Sequence, residues 1–210
     1  STSGVNHESF INGYADGTFG IAGNMTRAEA CTVIARLLEK EENIAGATSF
    51  ADVPADQWFA KYIGFCEAKG LLKSYSGSFE PNKPITRAEF SKMVLAAKGI
   101  TFNYDNAALM GMECEYKDLT KFDWQFPYID LAIKMGWLSA EDNNCNADKE
   151  IKNEEALDVI VKVLGYDNVL KYDDNKVVNN MIFAANSVSD IQNVGDMSET
   201  FFVYLHAFCL

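Results

Sequence analysis

The string Thr-Arg-Ala-Glu occurs twice, at Thr26–Glu29 and Thr86–Glu89, with the two copies starting 60 residues apart. Each follows a turn rich in Gly, Ser, Tyr and Phe. The first turn runs from Gly13-Tyr14 through Asp16-Gly17-Thr18-Phe19 to Met25, the second from Ser74-Tyr75 through Gly77-Ser78-Phe79 to Ile85. A second pattern recurs further along. Phe50-Ala51-Asp52-Val53 leads to Trp58, Ile63 and Gly70, and Tyr116-Lys117-Asp118-Leu119 leads to Trp124, Ile129 and Gly136. In both copies the Asp-to-Trp step is 6, Asp-to-Ile is 11, Ile-to-Gly is 7, and the next Ile (Ile85, Ile151) follows the Gly by 15. Spacing this regular across different residue types marks an internal repeat, in which each unit completes its core against its neighbours.

The repeat has a local mechanical reading. Thr at a helix N-cap with Glu three residues on is a capping box, each side chain satisfying a backbone N–H that the helix start leaves unpaired. The residues that follow have helical core spacing: Cys31, Ile34, Leu37 and Leu38 in one copy, Phe90, Met93, Val94 and Ala97 in the other. A third copy reads Ile151-Lys152-Asn153-Glu154-Glu155, then Leu157, Ile160, Val161 and Leu164, keeping the Glu but lacking the Thr and the Arg. A second helix per repeat is expected over Trp58–Leu72, with Trp58, Tyr62, Ile63, Phe65 and Cys66 on or near its buried face and Gly70 as its C-cap. Trp124–Lys134 with Gly136 reads the same way. The expected fold is mainly α, built of helix–loop–helix units over residues 1–45, 46–100 and 112–166. Residues 167–210, with an amphipathic run from Met197 to Cys209, read as a partial fourth unit.

Charge narrows the function classes. The chain's formal charge is -12, and residues 101–210 hold 8 Lys and Arg against 19 Asp and Glu, whereas residues 1–100 hold 10 against 11. All three arginines (Arg27, Arg36 and Arg87) lie in the first half. This argues against a nucleic-acid partner, because phosphate neutralisation dominates such binding. Any bound anion has to be met by local groups in the first half. No apolar run reaches the roughly 18 residues of a membrane span. Nor is there a charged-then-apolar leader, so, if the protein is exported, the sequence is expected to be the mature form or a shortened piece of it. The five cysteines are scattered without a CxxC pair, so no zinc site is expected, and Cys31 and Cys66 read as buried free thiols. Clustered acids such as Glu141-Asp142 lack the spacing of a calcium loop. The two histidines, His7 and His206, stand outside any nucleophile motif. Neither an enzyme nor a cofactor is expected.

The ordered set of Phe-x-Asp-Val, Trp, a helix-ending Gly, Gly-Tyr-x-Asp-Gly-Thr-Phe and Ile-Thr-Arg-Ala-Glu resembles the S-layer homology family, closely over residues 7–100 and loosely over 114–166. The resemblance implies a pseudo-threefold arrangement of repeats around a central bundle of the Thr-Arg-Ala-Glu helices. It implies an extracellular, cell-wall location and non-covalent anchoring of a bacterial surface protein. Grooves between the repeats would bind an anionic secondary cell-wall polysaccharide that carries ketal-linked pyruvate. Carried over residue by residue, it assigns Arg27 and Arg87 to the ligand carboxylate and Trp58 and Trp124 to the groove walls. Gly13, Tyr14, Asp16 and Gly17 would shape the first loop, with Asp52 supporting it.

Each residue has a plainer reading beside the sharper one. The tryptophans equally suit a core, Asp16 a turn, and Asp52 a helix cap. A cation in a helix's first turn opposes the dipole, so Arg27 and Arg87 call for a carboxylate from a ligand or from a neighbouring repeat. The altered third repeat and the acidic second half leave a rival function open, a repeat scaffold that binds another protein.

Overall fold

A computed structural model describes residues 22–72, 77–102 and 112–163. Gly13, Tyr14, Asp16 and Gly17 lie outside these residues, as does the expected fourth unit. The fold is mainly helical: α1 (Arg27–Leu38), α2 (Ala60–Ala68), α3 (Arg87–Ala97), α4 (Phe126–Lys134) and α5 (Asn153–Val163), with a short 3-10 turn at Glu41–Asn43. Among the described residues, extended pairing is confined to isolated bridges.

Both capping boxes form. The Glu29 N–H donates to Thr26 Oγ1 at 3.2 Å and the Thr26 N–H donates back to the Glu29 carboxylate at 2.7 Å. Glu89 and Thr86 repeat the exchange at 3.2 and 3.0 Å. A capping side chain satisfies only part of a helix start, which leaves four unpaired N–H groups. Here the next repeat supplies further acceptors. Arg27 N and Ala28 N donate to the carbonyls of Lys83 and Pro81, at 2.9 and 3.0 Å. Arg87 N and Ala88 N donate in the same way to Lys149 and Ala147, and Asn153 N donates to Gly23.

Two residues before each of these helix starts, the three segments bond to one another in a closed cycle. Met25 N donates to Ile151 O at 3.0 Å, Ile151 N to Ile85 O at 3.0 Å, and Ile85 N to Met25 O at 2.9 Å. All three residues are buried. The third segment joins this ring although Lys152 offers no side-chain oxygen for a cap, because its pairing is made by backbone.

Around the ring, α1 packs on α2 and α3, and α3 packs on α4. Ile34, Ile63, Phe90, Leu95, Phe126, Ile129 and Ile160 are fully buried. Cys31 and Cys66 are buried free thiols. Gly70 and Gly136 take φ of 71° and 73° just past α2 and α4, the left-handed conformation of a helix C-terminus.

Two expectations need correction. Trp58 is 59% exposed rather than on a buried face. The helix starts later than expected, at Ala60, and in the turn before it Phe59 takes the buried place. Leu38, the last residue of α1, is exposed as well.

A close backbone approach fixes the loop at Gly46 against α2 within the second unit. A Cβ built on Gly64 of α2 would lie 2.5 Å from the Gly46 carbonyl oxygen, and one on Gly46 would lie 2.6 Å from the Gly64 carbonyl carbon. Neither position has room for a side chain. The 3-10 turn just upstream is fastened by Glu41, which accepts from Arg36 Nε at 2.8 Å, Lys61 Nζ at 2.6 Å and Tyr62 OH at 2.6 Å. Partial burial opposes ionisation of Glu41, but these donors outweigh it and hold the carboxyl at about 2. Gly64→Ala is expected to lower stability by about 1–3 kcal/mol, the cost of overpacking, as read from the midpoint of a urea titration.

Candidate functional site

A groove of about 330 Å³ opens where three repeats meet. Arg27 enters it from the start of α1. Leu71, Leu72 and Phe79 line it from the second repeat's loop, Glu89, Lys92 and Met93 from α3, and Trp124 closes one side from the third repeat. Two residues assigned by resemblance, Arg27 and Trp124, therefore share one cavity although 97 positions separate them in the chain.

Arg27 is fixed by its neighbours. Its Nη1 pairs with the Glu89 carboxylate at 2.6 Å, its Nε donates to the Phe79 carbonyl at 2.8 Å, and its guanidinium stands 4.8 Å from the centroid of the Phe79 ring. Glu89 thus caps α3 and also binds the arginine of the preceding repeat. Phe79 is set in place by Asp52, which accepts from the N–H groups of Phe79 and Glu80, at 2.7 Å each, and from the Ser78 hydroxyl at 2.8 Å. Slight desolvation raises the Asp52 pKa, but these donors prevail and hold it below the usual carboxylate range. Asp52 supports the second loop; the expected support of the first loop concerns residues outside those described. Its effect on the groove runs through Phe79.

The opposite wall is aromatic. Trp124 is 38% exposed, its ring centroid 6.4 Å from that of Tyr128. Lys92 Nζ lies 5.2 Å from the Trp124 centroid and 5.5 Å from that of Tyr128, within cation–π range. Trp58 and Tyr62 form the matching pair one repeat earlier, 6.5 Å apart. The described groove does not include Trp58.

Arg87, one repeat on, is placed differently. Its side chain is 6% exposed, paired with Glu155, and its Nη2 donates to the Ser139 carbonyl at 2.6 Å. Its Nε is buried and finds no acceptor among the described residues. Burial lowers its pKa from the usual arginine value. The loop beside it differs as well. Asp118 holds the third loop as Asp52 holds the second, accepting from the N–H groups of Cys145 and Asn146, but Cys145 stands where Phe79 stands and brings no ring. Burial first, and then Asp118, pushes that thiol up to about 12.

Lys92 is among the groove residues that the sequence did not single out for a role. The signal was available: Glu89, Lys92 and Met93 lie three and four residues apart, on one helical face.

The S-layer homology domain model matches residues 5–31 and 49–91. Cell surface glycoprotein 1 of Acetivibrio thermocellus is 31% identical over 169 residues, covering 77% of this chain and 7% of that protein. The cellulosome-anchoring protein of the same organism is 31% identical over 170 residues, 75% of this chain and 36% of that protein. S-layer protein sap of Bacillus anthracis is 26% identical over 152 residues, 72% of this chain and 18% of that protein. The chain thus spans roughly a third or less of the length of these relatives.

Removing either arginine strands a carboxylate, and the cost scales with burial. Arg87→Ala is expected to destabilise by about 3 kcal/mol, in the range for breaking a buried pair. Arg27→Ala is expected to cost less, since its side chain is 19% exposed. Paired urea titrations of the two variants check the order.

Proposed function

We propose that this chain, which carries S-layer homology domains, holds a bacterial surface protein on the outside of the cell wall by binding an anionic wall polysaccharide. The observation that carries this reading is the groove, in which Arg27, Lys92 and Trp124 converge from three repeats within a chain of formal charge -12. Two basic side chains with one matching acid, Glu89, beside an exposed indole in an otherwise acidic protein suit an acidic sugar. The ring offers an apolar surface to a sugar face, and the cations offer charge-assisted hydrogen bonds to a carboxylate. A pyruvate ketal supplies such a carboxylate. The matched relatives include proteins whose names describe anchoring and S-layer formation, and the chain's part is binding rather than chemistry.

In this reading the starts of α1, α3 and α5 are related by a pseudo-threefold axis, with the Thr-Arg-Ala-Glu helices around it. The cyclic bonds among Met25, Ile85 and Ile151 support that arrangement. The grooves are unequal. Both arginines pair with the next repeat's glutamate, but Arg27 lies in a groove with an aromatic wall, whereas Arg87 is more deeply buried and Cys145 stands where the phenylalanine stands.

The test is co-sedimentation with purified cell-wall sacculi, native and depyruvylated. Binding to native sacculi that is lost with the pyruvate, and weakened about tenfold or more by Trp124→Ala as expected for an aromatic anchor that the ligand covers, is the expected result. Binding indifferent to pyruvate, or none by a folded protein, would overturn it in favour of a protein-binding scaffold.

A further inference from the structure

Two thiols buried between α1 and α2 take no part in the groove. Cys31 of α1 and Cys66 of α2 are both 0% exposed, and their helices pack on each other. The Cys66 thiol donates to the Cys31 carbonyl at 3.5 Å, across 35 positions of chain. The sulfur of one residue thus lies against the backbone of the other. Burial first, and then the neighbouring Cys66 thiol, pushes the Cys31 thiol well above its usual range.

The other described cysteines are engaged elsewhere. Cys114 donates to the Leu119 carbonyl at 3.3 Å, five residues along its own loop. Cys145 donates to the Asp118 carboxylate at 3.4 Å. Cys31 and Cys66 are therefore the pair that the packing of two helices brings together.

Outside the cell such a pair meets disulfide oxidants, whereas the cytosol keeps thiols reduced. The exchange balances without a further reactant. One cysteine thiolate attacks a small-molecule disulfide and displaces half of it as a thiolate, leaving a mixed disulfide. The second cysteine thiolate attacks the cysteine sulfur of that intermediate, closes the new S–S bond and releases the other half. Two cysteine thiols are oxidised, one disulfide is reduced to two thiols, and the two protons pass to the departing thiolates. Deep burial keeps the thiolate scarce once the protein is folded, so the bond forms as the chain folds, before the helices close over the sulfurs.

We propose that Cys31 and Cys66 are joined by a disulfide in the exported protein, a covalent tie that fastens the helix bearing Arg27 to the second repeat. The tie rests on the extracellular setting and on the packing of α1 against α2, and is independent of what the groove binds.

Refolding the reduced, unfolded protein in a buffer of reduced and oxidised glutathione tests it, with the remaining thiols then alkylated and the peptides mapped by mass spectrometry. The expected dominant linkage joins the peptides of Cys31 and Cys66, with Cys114 and Cys145 recovered alkylated. Closing a loop of this length restricts the unfolded chain, so the urea midpoint is expected to rise by about 1–2 M over the reduced protein. Cys66→Ala is expected to show the same midpoint whether refolded with oxidant or with dithiothreitol. The linkage map of the wild type needs no variant to fold. Cys31 and Cys66 both recovered alkylated, a dominant linkage of either to another cysteine, or a Cys31–Cys66 bond that leaves the midpoint unchanged or lower would overturn the proposal.

Discussion

Three backbone segments, each donating to one neighbour and accepting from the other, set the terms for everything else in this molecule. Met25, Ile85 and Ile151 sit in that cycle with buried side chains. Opening one link in such surroundings would leave a buried N–H and a buried C=O unpaired, which costs more than the net worth of the bond itself. The cycle therefore fixes where the three helices start. It lays each repeat's loop over the helix start of the repeat before, so that Lys83 and Pro81 accept from α1 while Lys149 and Ala147 accept from α3. A groove walled by Arg27, Lys92 and Trp124 follows directly, since no single repeat holds all its parts.

The arginine pairs lie just outside the ring. A guanidinium in the first turn of a helix is ill placed with respect to the helix dipole, and a glutamate in the first turn of the next helix offsets it. Glu89 serves Arg27 and Glu155 serves Arg87, which makes the Arg and Glu of Thr-Arg-Ala-Glu a pairing across repeats as well as a local motif. The third repeat departs from the pattern selectively. It retains Asp118, Trp124, Gly136, Ile151 and Glu155, which hold a loop, close a groove, end a helix, complete the ring and pair with Arg87. It lacks the Thr, the Arg and the loop phenylalanine, whose loss the backbone pairing tolerates. A unit can lose features of a binding surface and still serve as scaffold for its neighbour's groove.

Much of this was legible in the residues. The repeat spacing located every described helix, the capping boxes formed at Thr26 and Thr86, and Gly70 and Gly136 fell at helix ends. What local pattern missed was the direction of side chains at boundaries. Trp58 read as core because it opens an apolar run, yet Phe59 fills the buried place and leaves the indole outside. The Gly46–Gly64 contact was invisible, because nothing in either glycine's neighbourhood in sequence indicates that two backbones meet there. The demand of Arg27 and Arg87 for a carboxylate was legible, but the neighbouring repeat as its source became visible only when the repeats were set side by side. Lys92 was passed over because a lysine on a helix ordinarily reads as solvated surface.

If the cyclic bonds lock the three repeats into one cooperative unit, native-state hydrogen exchange at the amides of Met25, Ile85 and Ile151 reports it most directly. All three should exchange only through global unfolding, with the same free energy and the same denaturant dependence. One of them exchanging early, through a local opening insensitive to denaturant, would show that its repeat comes away alone and that the ring is not what holds the groove together.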